Sequence, residues 1–386
     1  MNVLLVVPWD QEFGGVASVV GNLARCLSRH HVVFLYPGGP NRLRQKRTTW
    51  GFSGYDINLR APFIRDRPIR SVVAFLVFFL LTMYQLERVI RSQGIQIVNI
   101  HYPLEAFVYF GVLRWFLPIR LVVSVHGADL FPDGPPRRGR YSWSLRFLLF
   151  SSDAVVAPSQ AFLKDCLLEF PRAAKKALFI HNGIDIQELA QAGEATETAE
   201  GRRYLLCIAA NNQLKALDVL LRAFARISET HRVVRLLLVG DGPLRRQHEE
   251  LARSLSLQDR VEFLGWRSRA EVSRLLRDCE IFVLPSRSEP FGVVVAEALA
   301  CQKAVVASAV GGIPEIIENG RTGVLVEPDH PAALARELLT LLEDGSLRKS
   351  LGHAGYQRVV ECFSRETMSA RYESLYSALA SGSRAV

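Results

Sequence analysis

Six cysteines in 386 residues, at positions 26, 166, 207, 279, 301 and 362, stand far apart and never as Cys-x-x-Cys. That spacing indicates neither a zinc site nor a disulfide framework, and each thiol is expected to be a small buried hydrophobe. Gly-x-Gly-x-x-Gly and Gly-x-x-x-x-Gly-Lys-Ser/Thr are both missing, which argues against a dinucleotide dehydrogenase and an ordinary nucleoside triphosphatase. No Asp-x-Asp is present to hold a metal ion, so no metal and no cofactor are expected. Zinc-finger spacing and basic motifs interleaved with aromatics are lacking too, which speaks against nucleic acid as a partner. Met1–Pro8 has no charged leader or cleavage site. It reads as a first buried strand, and the protein is expected in the cytoplasm, with a peripheral place on the inner face of the cell membrane as a further expectation.

What is present is unevenly charged. The formal net charge is +9, and residues 1–190 hold all of it, with 22 Lys/Arg against 13 Asp/Glu. A basic half beside a neutral half suggests a surface aimed at something anionic. The densest stretch runs from Arg42 to Arg70, opposed only by Asp56 and Asp66, and the apolar run Ser71–Tyr84 follows at once. This run falls short of the roughly 20 residues of a spanning helix, and its continuation through Arg91 turns amphipathic. Two readings stay open: one buried helix of a soluble domain, or an anionic membrane surface met by Arg42–Tyr84, where cations and apolar side chains reinforce one another.

Apolar strand-like runs alternate with helical patterns, as in parallel sheets with helices on both faces. Strands are predicted at residues 3–7, 32–36, 97–100, 121–125, 154–157 and 177–180 in the first half. In the second half they are predicted at 204–209, 235–239, 261–264, 281–284, 305–307 and 324–326. The expected fold class is α/β with two Rossmann-like units. The small, polar segment Leu189–Gly201 reads as a linker. The chain therefore divides into a first domain (1–190), a linker (191–202), a second domain (203–362) and a helical C-terminal segment (363–386).

The most informative segment is Ile281–Glu297, an apolar strand, a short loop and a helix start flanked by Glu289 and Glu297. Pro290 and Gly292 suit the first helical turn. Backbone amides at Gly292, Val293 and Val294, backed by the positive end of the helix dipole, would receive a diphosphate. Carboxylates accept but do not donate hydrogen bonds, so Glu289 suits hydroxyls of a sugar and Glu297 those of a ribose. Further on comes Gly311-Gly-Ile-Pro-Glu315 after a second strand, and upstream lies Leu236–Pro243. With Gly14-Gly15-Val16, Ser124-Val-His126-Gly and His181–Asp185, these motifs make the chain resemble a family 4 glycosyltransferase, the Glu-x7-Glu pattern being Glu289 to Glu297. The resemblance spans nearly the whole chain. It implies a GT-B fold, two facing Rossmann-like domains with an interdomain cleft: an acceptor-binding first domain, a nucleotide-sugar-binding second, and a C-terminal helix crossing back to the first.

It also assigns residues. Glu289, His126 and Lys215 are the expected catalytic residues. Gly15, Lys215, Phe291, Gly292, Val293, Val294 and Glu297 are expected to bind the donor. Gly14, Asp129 and Gly312 are candidate acceptor or sugar contacts; Asp129 could alternatively orient His126 or cap the next turn. Gly311 and Glu315 lie near the donor by the same resemblance, whereas Asn182 and Gly183 read as shaping a turn. The sequence departs from the family at Ala210, where a diphosphate-binding Arg usually accompanies Lys215. Asn211, Asn212 or Arg287 are candidate substitutes. The implied activity is retaining, metal-independent transfer of a sugar from a UDP- or GDP-linked donor to a glycan or lipid-linked acceptor, in cell-surface polysaccharide or glycolipid synthesis. A sugar-nucleotide epimerase or hydrolase, or a catalytically decayed binding protein, are the alternatives.

Overall fold

The computed structural model describes residues 1–10, 14–131, 142–191 and 203–382. The predicted linker lies almost wholly outside the described residues. The chain forms two compact units, Met1–Gly183 with Arg365–Val386, and Ile184–Ser364.

In the first unit, runs such as Val3-Leu4-Leu5-Val6 are fully buried, as strands of a parallel sheet covered on both faces must be. Among the described residues eight strands form its sheet: β1 (Asn2–Val6), β2 (His31–Tyr36), β3 (Arg44–Arg47), β4 (Ser53–Asp56), β5 (Ile97–His101), β6 (Arg120–Ser124), β7 (Ala154–Ala157) and β8 (Ala177–Phe179). Their order is β3-β4-β2-β1-β5-β6-β7-β8. All neighbours are parallel except β3 and β4. That antiparallel edge pair was not predicted, because Arg44-Gln45-Lys46-Arg47 carries none of the β-branched or aromatic residues that mark a strand. It consumes part of the basic stretch: Arg44 pairs with Asp56 at 2.5 Å and Lys46 with Asp10 at 2.6 Å.

Helix α1 (Gly15–Cys26) follows β1; α2 (Pro68–Ser92) precedes β5, α3 (Val108–Phe116) follows it, and α4 (Trp143–Ser151) leads into β7. Side chains of α2, α3 and α4 share one core with alternate residues of the sheet, among them Leu4, Val6, Val98, Ile100, Leu121 and Val123. The helix Arg365–Ala380 belongs to this unit as well. Tyr376 Oη accepts from Asn99 at 2.7 Å, Tyr372 Oη bonds Ser124 Oγ at 3.1 Å, and Met368 Sδ accepts the Gly183 amide at 3.1 Å.

In the second unit the described residues form a six-stranded parallel sheet: β9 (Tyr204–Ile208), β10 (Arg235–Val239), β11 (Val261–Gly265), β12 (Ile281–Leu284), β13 (Ala304–Ser308) and β14 (Val324–Val326). The order is β11-β10-β9-β12-β13-β14. Residues 184–190, expected with the first domain, fold with this unit. The Ile184 amide donates to Phe363 O at 2.8 Å, and Glu188 lies 3.6 Å from Arg269.

Candidate active site

Strand order reverses between β9 and β12 in the second sheet, so the loops leaving those two strands diverge and open a crevice at their carboxyl ends. Lys215 lies on the loop after β9 and Glu289 on the loop after β12. Their side chains meet at 2.6 Å although 74 residues separate them. Lys215 ends a short 3-10 turn, Gln213–Lys215, capped by the Asn212 side chain, which accepts the Lys215 amide at 3.2 Å. The next residue, Ala216, is left-handed at φ 50°, a conformation that disfavours a Cβ. This constrained turn is held from the other side by Arg287, which donates to Gln213 O at 2.8 Å and pairs with Asp218 at 2.8 Å and Asp329 at 2.6 Å. Arg287 is therefore no replacement for the Arg absent at position 210. Two carboxylates already neutralise it, and its role is to clamp the Lys215 loop.

Nor does Asn211 replace it. Asn211 is buried, donates to Gly240 O at 3.1 Å and bonds His248 Nδ1 at 3.0 Å, so its amide group is spent on structure.

The helix after Glu289 begins at Val293, not at Pro290 as predicted; Gly292 is its N-cap at φ 107°. Only glycine adopts that angle without strain. Phe291, 1% exposed, anchors the turn against Phe363 at a centroid distance of 5.8 Å. The first amides of an α-helix have no intrahelical acceptor, so Val293 and Val294 stand where an anion can take their N–H groups. Gly312 comes next to this loop, its amide donating to Glu289 O at 3.0 Å. A Cβ on Gly311 would lie 1.9 Å from that same carbonyl. The glycine pair thus fixes the backbone of Glu289, and the Gly312 amide is already engaged.

Glu297 is 3% exposed and receives Arg269 Nη1 at 2.5 Å. Sequence reasoning missed Arg269. Its position is set by a capping box, Ser268 with Glu271, which starts the helix Arg269–Asp278. The box marks a helix start but carries no sign of a partner 28 residues away. Arg269 Nη2 is buried with no partner among the described residues.

In the first unit the order reverses between β1 and β5. Gly14, N-cap of α1 at φ 97°, and Gly15 both stand exposed on the β1 side; Gln11–Phe13 lie outside the described residues. Trp9 packs on Tyr102 across this point, with ring centroids 5.0 Å apart. Tyr102 follows β5 at φ 58°. His126 follows β6, and its Nε2 lies 3.1 Å from Nδ1 of His101, the last residue of β5. His101 was missed, although a histidine at a strand's carboxyl end is the same signal that marked His126. Burial drives both imidazoles down, His126 to about 4 and His101 well below its ordinary value with the His126 charge adding to the effect. The pair is neutral at pH 7.

Asp129 does not orient the His126 ring. Its carboxylate accepts the backbone amides of His126 at 2.9 Å and Gly127 at 2.6 Å. It shapes the loop rather than the imidazole. Burial raises it to about 6 even though those amides pull it down. Asn182 is buried, and Gly183 O accepts Asn22 Nδ2 at 3.0 Å, which fits turn-shaping residues.

The chain matches two family models, "Glycosyltransferase Family 4" over residues 13–188 and "Glycosyl transferases group 1" over residues 191–358. An uncharacterised glycosyltransferase of Methanocaldococcus jannaschii is 30% identical over 280 residues, 72% of this chain and 75% of that protein. The N-acetyl-alpha-D-glucosaminyl L-malate synthase of Bacillus anthracis is 28% identical over 94% of this chain and 93% of that one. Among solved structures, an Anabaena protein, HepE, in complex with UDP and glucose superposes with a TM-score of 0.74 at 20% identity, covering 98% of this chain and all of that one. Sucrose-phosphate synthase from Thermosynechococcus elongatus does so at 0.76 and 21%, covering 99% and 100%. With motif, sheet topology and both family models in agreement, this chain belongs to the family 4 glycosyltransferases and has the GT-B fold.

Proposed function

We propose that this glycosyltransferase is a metal-independent, retaining enzyme that moves a sugar from a UDP- or GDP-linked donor to a glycan or lipid-linked acceptor, in cell-surface polysaccharide or glycolipid synthesis on the cytoplasmic side. The observation that carries the donor reading is the Lys215–Glu289 pair at 2.6 Å beside the Gly292-capped helix tip, at the reversal of strand order. An ammonium has three donors. One is held by Glu289, and two remain for the diphosphate oxygens, which also take the amides of Val293 and Val294. Glu289 keeps one oxygen for a hydroxyl of the donor sugar. Glu297, charge-balanced by Arg269, faces the ribose.

In the reaction the bond from the sugar's anomeric carbon to the diphosphate oxygen breaks, and a bond to the acceptor oxygen forms on the same face. The acceptor's proton passes to the departing diphosphate, whose charge Lys215 and the helix tip stabilise. His126, neutral at pH 7, hydrogen-bonds a sugar hydroxyl. That structural relatives were solved with UDP and with UDP-glucose supports a nucleotide-sugar donor.

The test is thermal unfolding of the full chain against a panel of UDP- and GDP-sugars, followed by NMR of the product's anomeric centre. One donor should stabilise the chain, by about 2.7 kcal/mol at a hundredfold excess over Kd, and the product should keep the donor's anomeric configuration. An inverted product would overturn retention. Turnover of donor without acceptor would mark an epimerase or hydrolase, and donor binding without any turnover a decayed binding protein.

A further inference from the structure

Helix α2 is inverted. Only six of its 25 residues are buried, and three of those, Ser71, Thr82 and Gln85, are polar. Two of these are hydrogen-bonded: Ser71 Oγ accepts the Ile64 amide and donates to Pro68 O, and Gln85 accepts the Leu43 amide and donates to Asn41 O. The outward face carries Ile69, Val73, Leu76, Val77, Leu80 and Tyr84, spaced three and four apart, with Ile69 79% and Leu80 78% exposed. The reading of this run as one buried helix of a soluble domain is therefore corrected, because its aliphatic side chains face outward. By length and composition the helix is also sufficient to cross a membrane, so the estimate that it falls short is corrected too.

Its inner side fixes how it can be used. Phe75 and Phe79 stack around Tyr109 of α3 at 5.3 and 5.5 Å, and Leu86 and Ile90 sit in the sheet's core. A helix so anchored lies along the unit's surface and cannot stand across a bilayer without unfolding its own domain. Helix α3, packed on α2, and α4, packed on α3, expose bulky aromatics, Trp115 and Phe116 on α3, Trp143 and Phe150 on α4. Charge frames the apolar face. Arg65, Arg67 and Arg70 are exposed at the helix's start and Arg88 near its end, with Arg60 stacked on the Phe78 ring at 3.8 Å. Next to Phe150 a pocket of about 600 Å³ adds Arg146, Arg172 and Lys176, opposed by Glu169.

We infer that the outward face of α2, with the aromatics of α3 and α4, is an in-plane docking surface for an anionic phospholipid bilayer. Aliphatic side chains enter the acyl boundary while the arginines meet lipid phosphates. A protein partner could cover the aliphatic stripe alone. The cations at both ends and the exposed tryptophans match a surface that is apolar within and negative at its edge.

The experiment is sedimentation of the full chain with phosphatidylglycerol-containing vesicles and with pure phosphatidylcholine vesicles, at low and high salt. Binding should favour anionic vesicles and weaken severalfold with salt. The double variant Leu76→Glu, Leu80→Glu and the triple variant Arg65→Glu, Arg67→Glu, Arg70→Glu should each lower the bound-to-free ratio by about tenfold or more. Because all five positions are exposed, both variants should keep the parent's melting temperature and its thermal response to donor. Equal binding to both lipids, or none, overturns the inference. So does resistance to alkaline carbonate extraction, which would mean a spanning helix. Self-association of the unmodified chain that Leu76→Glu, Leu80→Glu abolishes, without lipid binding, would assign the face to a second copy and overturn it as well.

Discussion

At the carboxyl ends of its central strands the second unit holds charge in matched pairs, whereas the first unit gathers neutral polar groups there, beside one carboxylate, Asp129, that backbone amides satisfy. Around β9 and β12 stand Lys215 with Glu289, Arg269 with Glu297, and Arg287 with Asp218 and Asp329. Around β5 and β6 stand His101, His126, Ser124, Asn99 and the hydroxyls of Tyr372 and Tyr376, with burial holding Tyr372 up at about 12. The difference teaches what each place can receive. A lysine held by a single carboxylate, as Lys215 is by Glu289, keeps two N–H donors for a diphosphate. A neutral polar cluster has no such capacity and suits hydroxyls.

The sharpest way to break this contrast is to remove one polar group from each side of it. Lys215→Ala should lower kcat/KM by about a hundredfold to a thousandfold, as loss of a group that meets developing negative charge does. His126→Ala should lose less, about tenfold to a hundredfold, since it removes a neutral hydrogen bond. If steady-state kinetics ranked the two the other way, the charged centre would belong to the first unit. Next in size, Glu297→Ala leaves Arg269 without its close partner and should cost about 3 kcal/mol in denaturant unfolding. Glu297→Gln, which keeps an acceptor, should cost less. Equal losses would show that charge pairing is not what Glu297 contributes.

The third prediction concerns pH and sets groups of the first unit against one another by sign. His101 and His126 are depressed in the fold, so the unfolded chain binds more protons below about 6.5. Their contribution is intact above that pH and is lost as pH falls toward 4. Asp129, raised to about 6, works the opposite way, favouring the fold at the acid end of the same interval. Two histidines against one aspartate leave a net loss of stability on acidification. Melting temperatures of the parent and of a His101→Leu variant between pH 4 and 7 should show a shallower slope in the variant. A parallel slope would mean that the imidazole pair does not govern it.

Much of the fold was legible as local pattern. All twelve predicted strands are present within a residue or two at their ends, because buried parallel strands write uninterrupted apolar runs. The Arg44–Arg47 strand was not legible, since pairing with β4 and the Arg44–Asp56 contact sustain it against its own propensity. In the site, Glu289, Gly292 and His126 could be picked out from strand ends and turn residues. Arg269 and His101 could not be given partners, and Arg287 was given the wrong one, because a side chain's partner across tens of residues leaves no local mark.

By itself the amino-acid order determined the twelve apolar strands, the two α/β units, the family and the helix tip at Gly292, all set by periodicity, turn chemistry and spacing within one stretch of chain. Only the tertiary structure decided that Lys215 and Glu289 meet, that Arg287 is consumed as a clamp, and that the aliphatic side of α2 faces outward over buried Ser71, Thr82 and Gln85. The physical reason is that burial and charge pairing are properties of what surrounds a side chain, and those surroundings come from distant segments brought together by the sheet.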